Sequence, residues 1–400
     1  MRISGRTPNP ALEIFVWTRA AIWAAAVFAF LVFEPNRHPR AAVWDDPKLT
    51  HDLGYVTDVW ARWDSVWFLR IAEHGYHAAA AGASAFYPLY PGLVAAVGRA
   101  LLGHYVVAGI LVSLAAALGS FLLLYRLAEV RLGADGARRA VLYFALFPMA
   151  LFLQAVYSES LYAVLALAAF LLAERGRFLA AGAIAGLALL TRPSAVALLP
   201  ALAVLAWSAR ERLRAFASLL VAPIVFAVYP LLLGLTTDDA WGFARAQSIW
   251  HRHLSAAGPF GGIWDGLRSG WAGIEQLVSG SHTHVYWTPV QDTDPLRAAA
   301  VNLESLAFLV LFVVLTVVAW RRFGAAYGVF ATASLAIPLS VPSERWPLLS
   351  LPRFGFVVFP FFLALAAIGG RPRVHTAIVG ISSLLLGVAV VQWALWQWVA

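Results

Sequence analysis

Apolar runs long enough to cross a lipid bilayer recur along this 400-residue chain. A spanning helix needs roughly 18 to 20 such residues. Inside lipid no water is available to backbone N–H and C=O groups, so only helices and closed barrels cross it. The runs are too long for barrel strands, and the crossings therefore read as helices. With 61% of residues hydrophobic and 12% charged, a soluble core of this size is excluded. The fold class is an all-α polytopic membrane protein.

The formal net charge of +8 rests on arginine, with Lys48 the single lysine. The arginines sit in short loops between apolar runs rather than on one basic face. That excludes nucleic acid as a partner and makes them markers of the cytoplasmic side. The chain has no cysteine, so disulfides and thiolate metal sites are excluded. The first apolar run, about 12–33, is too long for the core of a cleaved signal and is expected to stay as a helix.

Cytoplasmic markers are Arg2/Arg6, the loop Arg126 to Arg139, Glu174 to Arg177, Ala209 to Arg214, Arg321/Arg322 and Arg371/Arg373. Joining them predicts eleven spans: 12–33, 105–127, 139–153, 156–173, two within 178–207, 215–233, 301–320, 325–340, 356–370 and 374–397. Segment 86–102, with Pro88, Pro91 and Arg99, is expected to lie on the outer leaflet as an interfacial helix rather than to cross. The chain then divides into a seven-helix membrane region (1–233) with a large first outer loop (34–104), a second outer segment (234–300) and a four-helix region (301–400). Every extended polar segment falls outside the cell.

Within the first outer loop, Asp58 to Pro91 mixes Asp58, Arg62, Asp64, Arg70, Glu73 and His74 with tryptophans and tyrosines. Ionisable groups interleaved with aromatic rings beside a membrane suit a site for a sugar and a phosphate. Glu159, Arg192 and Arg353 stand at helix ends on the same expected side. Ionisable groups at span ends are functional candidates by default.

The stretch WARWDSVWFLRIAEHGY, then AFYPLYP, YSESL, ERGR and TRPSA, resembles the PIG-V family of mannosyltransferases, GT-C enzymes that use a polyprenyl-phosphate sugar. The likeness is densest over about 58–207. It implies a GT-C fold, with the catalytic aspartate in the first outer loop. It also implies a polyprenyl-phosphate-mannose donor and a lipid or glycan acceptor, with no cofactor beyond the lipid-linked donor. The chain has Ser65 where the family commonly has glycine after the WD pair, and Pro193-Ser194-Ala195 where eukaryotic members have Asn-Gly. Transfer to a glycosylphosphatidylinositol is therefore not carried over.

Asp64 matches the family's loop aspartate and is the candidate general base, with Asp58 as the alternative and ion pairing to Arg62 or Arg70 as the plainer role. Trp63 and Trp67 are candidates to stack on pyranose faces. Tyr157 and Glu159, in Tyr157-Ser158-Glu159-Ser160, join the site, although Glu159 also suits a helix N-terminus. Arg192 and Arg353 are candidates for the donor phosphate, because a planar guanidinium grips phosphate oxygens in pairs; the plainer role for each is an interfacial arginine reaching water. His74 is a candidate for phosphate or sugar. The pairs His251/His253 and His282/His284 lack further ligand spacing, so no metal is expected. The expected activity is inverting mannosyl transfer on the extracytoplasmic face of the plasma membrane. The alternatives are a transporter or flippase of lipid-linked sugars and a non-enzymatic subunit of an envelope assembly.

Overall fold

The computed structural model describes residues 9–36, 52–77, 82–290 and 293–399. The marker Arg2/Arg6 and parts 37–51 and 78–81 of the first polar loop lie outside the described residues.

The described residues form helices and short turns, with one isolated bridge between Arg252 and Ser343 as their only strand-like pairing. In chain order the helices are α1 (Pro10–Val32), α2 (Tyr55–Asp58), α3 (Ser65–His74), α4 (Leu89–Ala100), α5 (Tyr105–Leu146), α6 (Glu159–Glu174), α7 (Phe178–Leu189), α8 (Leu198–Trp207) and α9 (Arg212–Leu219). There follow α10 (Val221–Phe226), α11 (Val228–Thr237), α12 (Gly242–Arg245), α13 (Pro259–Ser279), α14 (Pro295–Phe323), α15 (Ala325–Ser340), α16 (Leu351–Phe356), α17 (Pro360–Ile368) and α18 (Pro372–Ala394).

Among the described residues five stretches are long and apolar enough to span a membrane: α1, α5, the nearly continuous run Arg212–Thr237, α14 and α18. Shorter apolar helices cover Phe178–Leu189, Pro193–Trp207 and Ala325–Ser340. The all-helical membrane class expected from the apolar runs is the class found. Segment 86–102 contains α4, which is not among the five candidate spans.

Two expected boundaries are corrected. The marker segment Arg126 to Arg139 is not an open loop: helix continues through it, kinked at Gly133, whose φ of 72° and ψ of 177° interrupt α5. A positive φ is cheap only for glycine, which is why the kink falls at this residue. The expected span 356–370 is helical only from Pro360 to Ile368 as α17: Phe356 is the last residue of the separate α16, and Val357–Phe359 are not helical. Pro360 has no N–H to donate and clashes with the preceding turn, so a helix restarts at it and does not run through it.

The chain forms two compact units. The first comprises 1–73, 90–168 and 362–399. Here α1 packs along α5 and α18. Arg19, in the middle of α1 and 4% exposed, donates to the carbonyls of Ala150 (2.6 Å) and Ala145 (2.9 Å). It thereby caps carbonyls left open where α5 ends. The Trp393 indole donates to the carbonyl of Val59 at 2.7 Å, tying α18 to the first loop.

The second unit comprises 74–89 and 169–361. α7 packs on α9 and α10, α8 on α9 and α15, and α13 on α14 and α15. A side chain at Gly355 would overlap the Phe312 ring, which is buried and stacks on Phe361 with centroids 5.0 Å apart. Gly355→Ala is expected to destabilise the protein by about 1–3 kcal/mol through overpacking. A lowered midpoint of thermal aggregation in detergent would register it, and an unchanged midpoint would show that the ring moves aside freely.

Candidate active site

In the first unit, the loop before α3 is built on aromatic burial. Trp60 is fully buried and packs on Trp23, with centroids 5.7 Å apart. Trp63 has a φ of 54°, a left-handed conformation that is strained for a bulky residue and tends to persist where surrounding structure enforces it. Its ring meets Trp398 and Trp396 edge-on at 5.1 and 6.1 Å. Arg62, also buried, lies 4.1 Å over the Trp396 ring.

Asp64 follows this strained residue and stands at the N-cap of α3, its carbonyl accepting from the N–H groups of Trp67 (3.1 Å) and Phe68 (3.4 Å). It is 8% exposed. Its own N–H donates to the Tyr157 hydroxyl at 3.1 Å. Two distant motifs, WD and YSES, are thereby joined. A second link pairs the Val156 N–H with the Trp60 carbonyl at 3.0 Å. Trp67 is buried in α3, and Asp58 ends α2, half-buried.

The segment carrying Tyr157 is buried throughout from Phe147 to Ser158. Ser113 of α5 donates to the carbonyl of Ala155 at 2.8 Å and is itself paired with the Tyr90 hydroxyl at 2.8 Å. Gly109 makes room for Val156: a Cβ there would come within 2.6 Å of it. Glu159 is the first residue of α6 and is 1% exposed. Burial pushes the Tyr90 hydroxyl up from its ordinary pKa, and the nearby Glu159 carboxylate adds to that. An acidic group at the positive end of a helix is favourable, and Glu159 stands there, directly after the Tyr157 segment.

In the second unit, Arg192 precedes the 3-10 turn Pro193–Ala197 and Arg353 lies in α16, at 7% and 9% exposed. Their guanidinium carbons each stand 5.5 Å from the centre of the Phe354 ring. Arg252 stands 5.6 Å from the same ring. The structure thus brings both arginines to one place and adds a third that the sequence reading missed. Arg252 also donates to the carbonyls of Val341 (3.1 Å) and Leu349 (2.8 Å), fastening the segment that leads into α16. His74 is exposed in the last turn of α3.

Asp52 was missed as well. It is buried, accepts from the N–H groups of Val106 (2.8 Å) and Val107 (3.2 Å), and pairs with His104 at 3.0 Å. It caps α5 from more than fifty residues away, which no local pattern discloses. Among the described residues no group of three or more His, Asp or Glu side chains is placed to hold a metal.

Residues 50–220 match the family described as Mannosyltransferase (PIG-V). The match takes in Asp58, Trp63, Asp64, Trp67, His74, Tyr157, Glu159 and Arg192. It covers less than half of the chain, and Arg252 and Arg353 lie outside it. Over this segment the resemblance carried by the WD, YSES and TRPSA motifs is that of a PIG-V mannosyltransferase. No curated protein matches. Among solved structures the chain is similar to the oligosaccharyltransferase of Archaeoglobus fulgidus, crystallised with Zn and sulfate, at 13% identity and a TM-score of 0.42. That similarity covers 93% of this chain and 53% of the archaeal chain, so this chain corresponds to about half of it.

Proposed function

We propose that the chain is an integral membrane glycosyltransferase that moves mannose from a polyprenyl-phosphate carrier to a lipid or glycan acceptor at the extracytoplasmic face of the plasma membrane. The observation that carries this reading is the coincidence of the PIG-V match with the segment where Asp64 and Tyr157 meet. The step is a single displacement. The acceptor hydroxyl gives its proton to the Asp64 carboxylate as its oxygen bonds the anomeric carbon, and the bond from that carbon to the carrier phosphate breaks with its electron pair on the phosphate. One displacement inverts the anomeric centre. A phosphate is a good leaving group and needs charge stabilisation more than a strong acid, a role suited to Arg192 and Arg353. Trp63 and Trp67, which flank Asp64, are assigned the contacts to the sugar.

The test is an assay in membranes that contain the full chain, supplied with polyprenyl-phosphate mannose labelled in the sugar. Label is expected in an organic-extractable or glycan product, with no transfer from a nucleotide-linked mannose once carrier synthesis is blocked. Transfer from the nucleotide sugar under that block, or from polyprenyl-phosphate arabinose or glucose in preference to mannose, would replace the proposed donor.

A further inference from the structure

The backbone N–H of Asp64 stands just before α3 and has no carbonyl of that helix to bond. It finds its acceptor in the Tyr157 hydroxyl, on a segment between helices. The residue before it, Trp63, holds a left-handed φ that persists only where its surroundings enforce it. Whatever fixes Tyr157 therefore also fixes the backbone that carries the Asp64 carboxylate.

Ser113 and Tyr90 meet that segment from α5 and α4. Ser113 is fully buried, and a serine inside a helix ordinarily turns its hydroxyl back onto the carbonyl four residues earlier. Ser120, two turns further along α5, makes its shorter bond in this way, donating to the carbonyl of Ala116 at 3.0 Å. For Ser113 the corresponding carbonyl belongs to Gly109, and the hydroxyl of the fully buried Tyr90 stands there instead, at 3.0 Å. The Ser113 hydroxyl points across to the 155–157 segment, 2.8 Å from the carbonyl of Ala155 and 3.3 Å from that of Tyr157. A serine hydroxyl carries one proton. With that proton given to the segment, the 2.8 Å bond between Ser113 and Tyr90 has the tyrosine as donor. The Tyr90 ring also packs edge-on against Phe68, one turn beyond Asp64, with centroids 5.0 Å apart.

From this geometry we infer that Tyr90 and Ser113 are positioning residues for the Asp64 site. Tyr90 occupies the Gly109 carbonyl and turns the Ser113 hydroxyl outward, and Ser113 holds the 155–157 backbone where the Tyr157 hydroxyl meets the Asp64 N–H. Both side chains are fully buried, so each acts through Tyr157 rather than on the substrate. The catalytic consequence rests on the proposed mannosyl transfer: a base displaced by a fraction of an ångström takes the acceptor proton less well, while binding of the donor is unchanged.

Tyr90→Phe keeps the ring and removes the hydroxyl. The freed Gly109 carbonyl is then expected to draw the Ser113 hydroxyl back onto its own helix, as at Ser120. Tyr90→Phe and Ser113→Ala should therefore have one effect, and the double variant should lose no more than the larger single loss. In membranes that contain the full chain, each is expected to lower kcat with labelled polyprenyl-phosphate mannose about tenfold, with KM for the donor within about twofold of the parent. Hydrogen exchange followed by mass spectrometry reads the same hold without any transfer. Peptides containing Asp64 or Val156 should exchange faster in both variants, and peptides from α1 and α18 at the parent rate. Unchanged kcat, single losses that multiply in the double variant, or faster exchange across α1 and α18 as well would overturn the inference. If the parent transfers no mannose, the glycosyltransferase reading fails by itself, and exchange at Asp64 and Val156 still decides whether Tyr90 and Ser113 hold the segment.

Discussion

Asp64→Asn is expected to abolish mannosyl transfer, with a loss of about 10²–10⁴-fold in turnover, the range that a positioned general base supplies. The choice of asparagine separates chemistry from folding. Asp64 precedes α3 and accepts from its first turn through the backbone carbonyl, which asparagine keeps, and asparagine is close to isosteric with aspartate. The backbone N–H that donates to Tyr157 is also unchanged. Protein level and thermal stability should therefore stay at the parent value while transfer is lost. Asp58→Asn is the matched control. It ends the four-residue α2, is half-buried, and is expected to retain transfer within a few-fold. Full turnover in Asp64→Asn membranes together with loss in Asp58→Asn would move the base to Asp58.

The membrane class and the approximate position of the helices were legible because bilayer length and apolar composition act locally along the chain. The pairing of the WD and YSES motifs was legible only as a family pattern: the hydrogen bond that realises it joins residues 93 positions apart. What failed to show in the sequence depended on single residues or on distant partners. Gly133 kinks a continuing helix where a loop was expected, and Pro360 begins the helix that was expected to start at 356. Asp52 caps a helix that begins beyond the whole of the first loop, and Arg19 looks like an ordinary intrusion in an apolar run until the carbonyls of Ala145 and Ala150 are seen beside it. Arg252 sat between His251 and His253, a pair weighed as metal ligands. The sequence reading never weighed the guanidinium between them. Its aromatic partner, Phe354, is a hundred residues further on.

The arginines around Phe354 give the second large expected effect. Arg353→Ala and Arg192→Ala are each expected to lower kcat/KM for the polyprenyl-phosphate donor by about 10²–10³-fold, the usual cost of removing one charge-stabilising donor from a developing oxyanion. Lysine should restore little at either site, because an ammonium cannot grip two phosphate oxygens in one plane or lie against the Phe354 ring as a guanidinium does. Two groups acting on one phosphate are not independent, so the double variant should lose less than the product of the single losses. Arg252 should behave differently although it stands as close to the ring. Its two terminal nitrogens already hold the carbonyls of Val341 and Leu349. Arg252→Ala is therefore expected to lower thermal stability, through a frayed approach to α16, as well as transfer. Initial rates over a range of donor concentrations, with melting curves for each variant, separate the two behaviours. If Arg192→Ala and Arg353→Ala melt early and keep the parent kcat/KM in the surviving protein, both arginines are structural and the donor phosphate is held elsewhere.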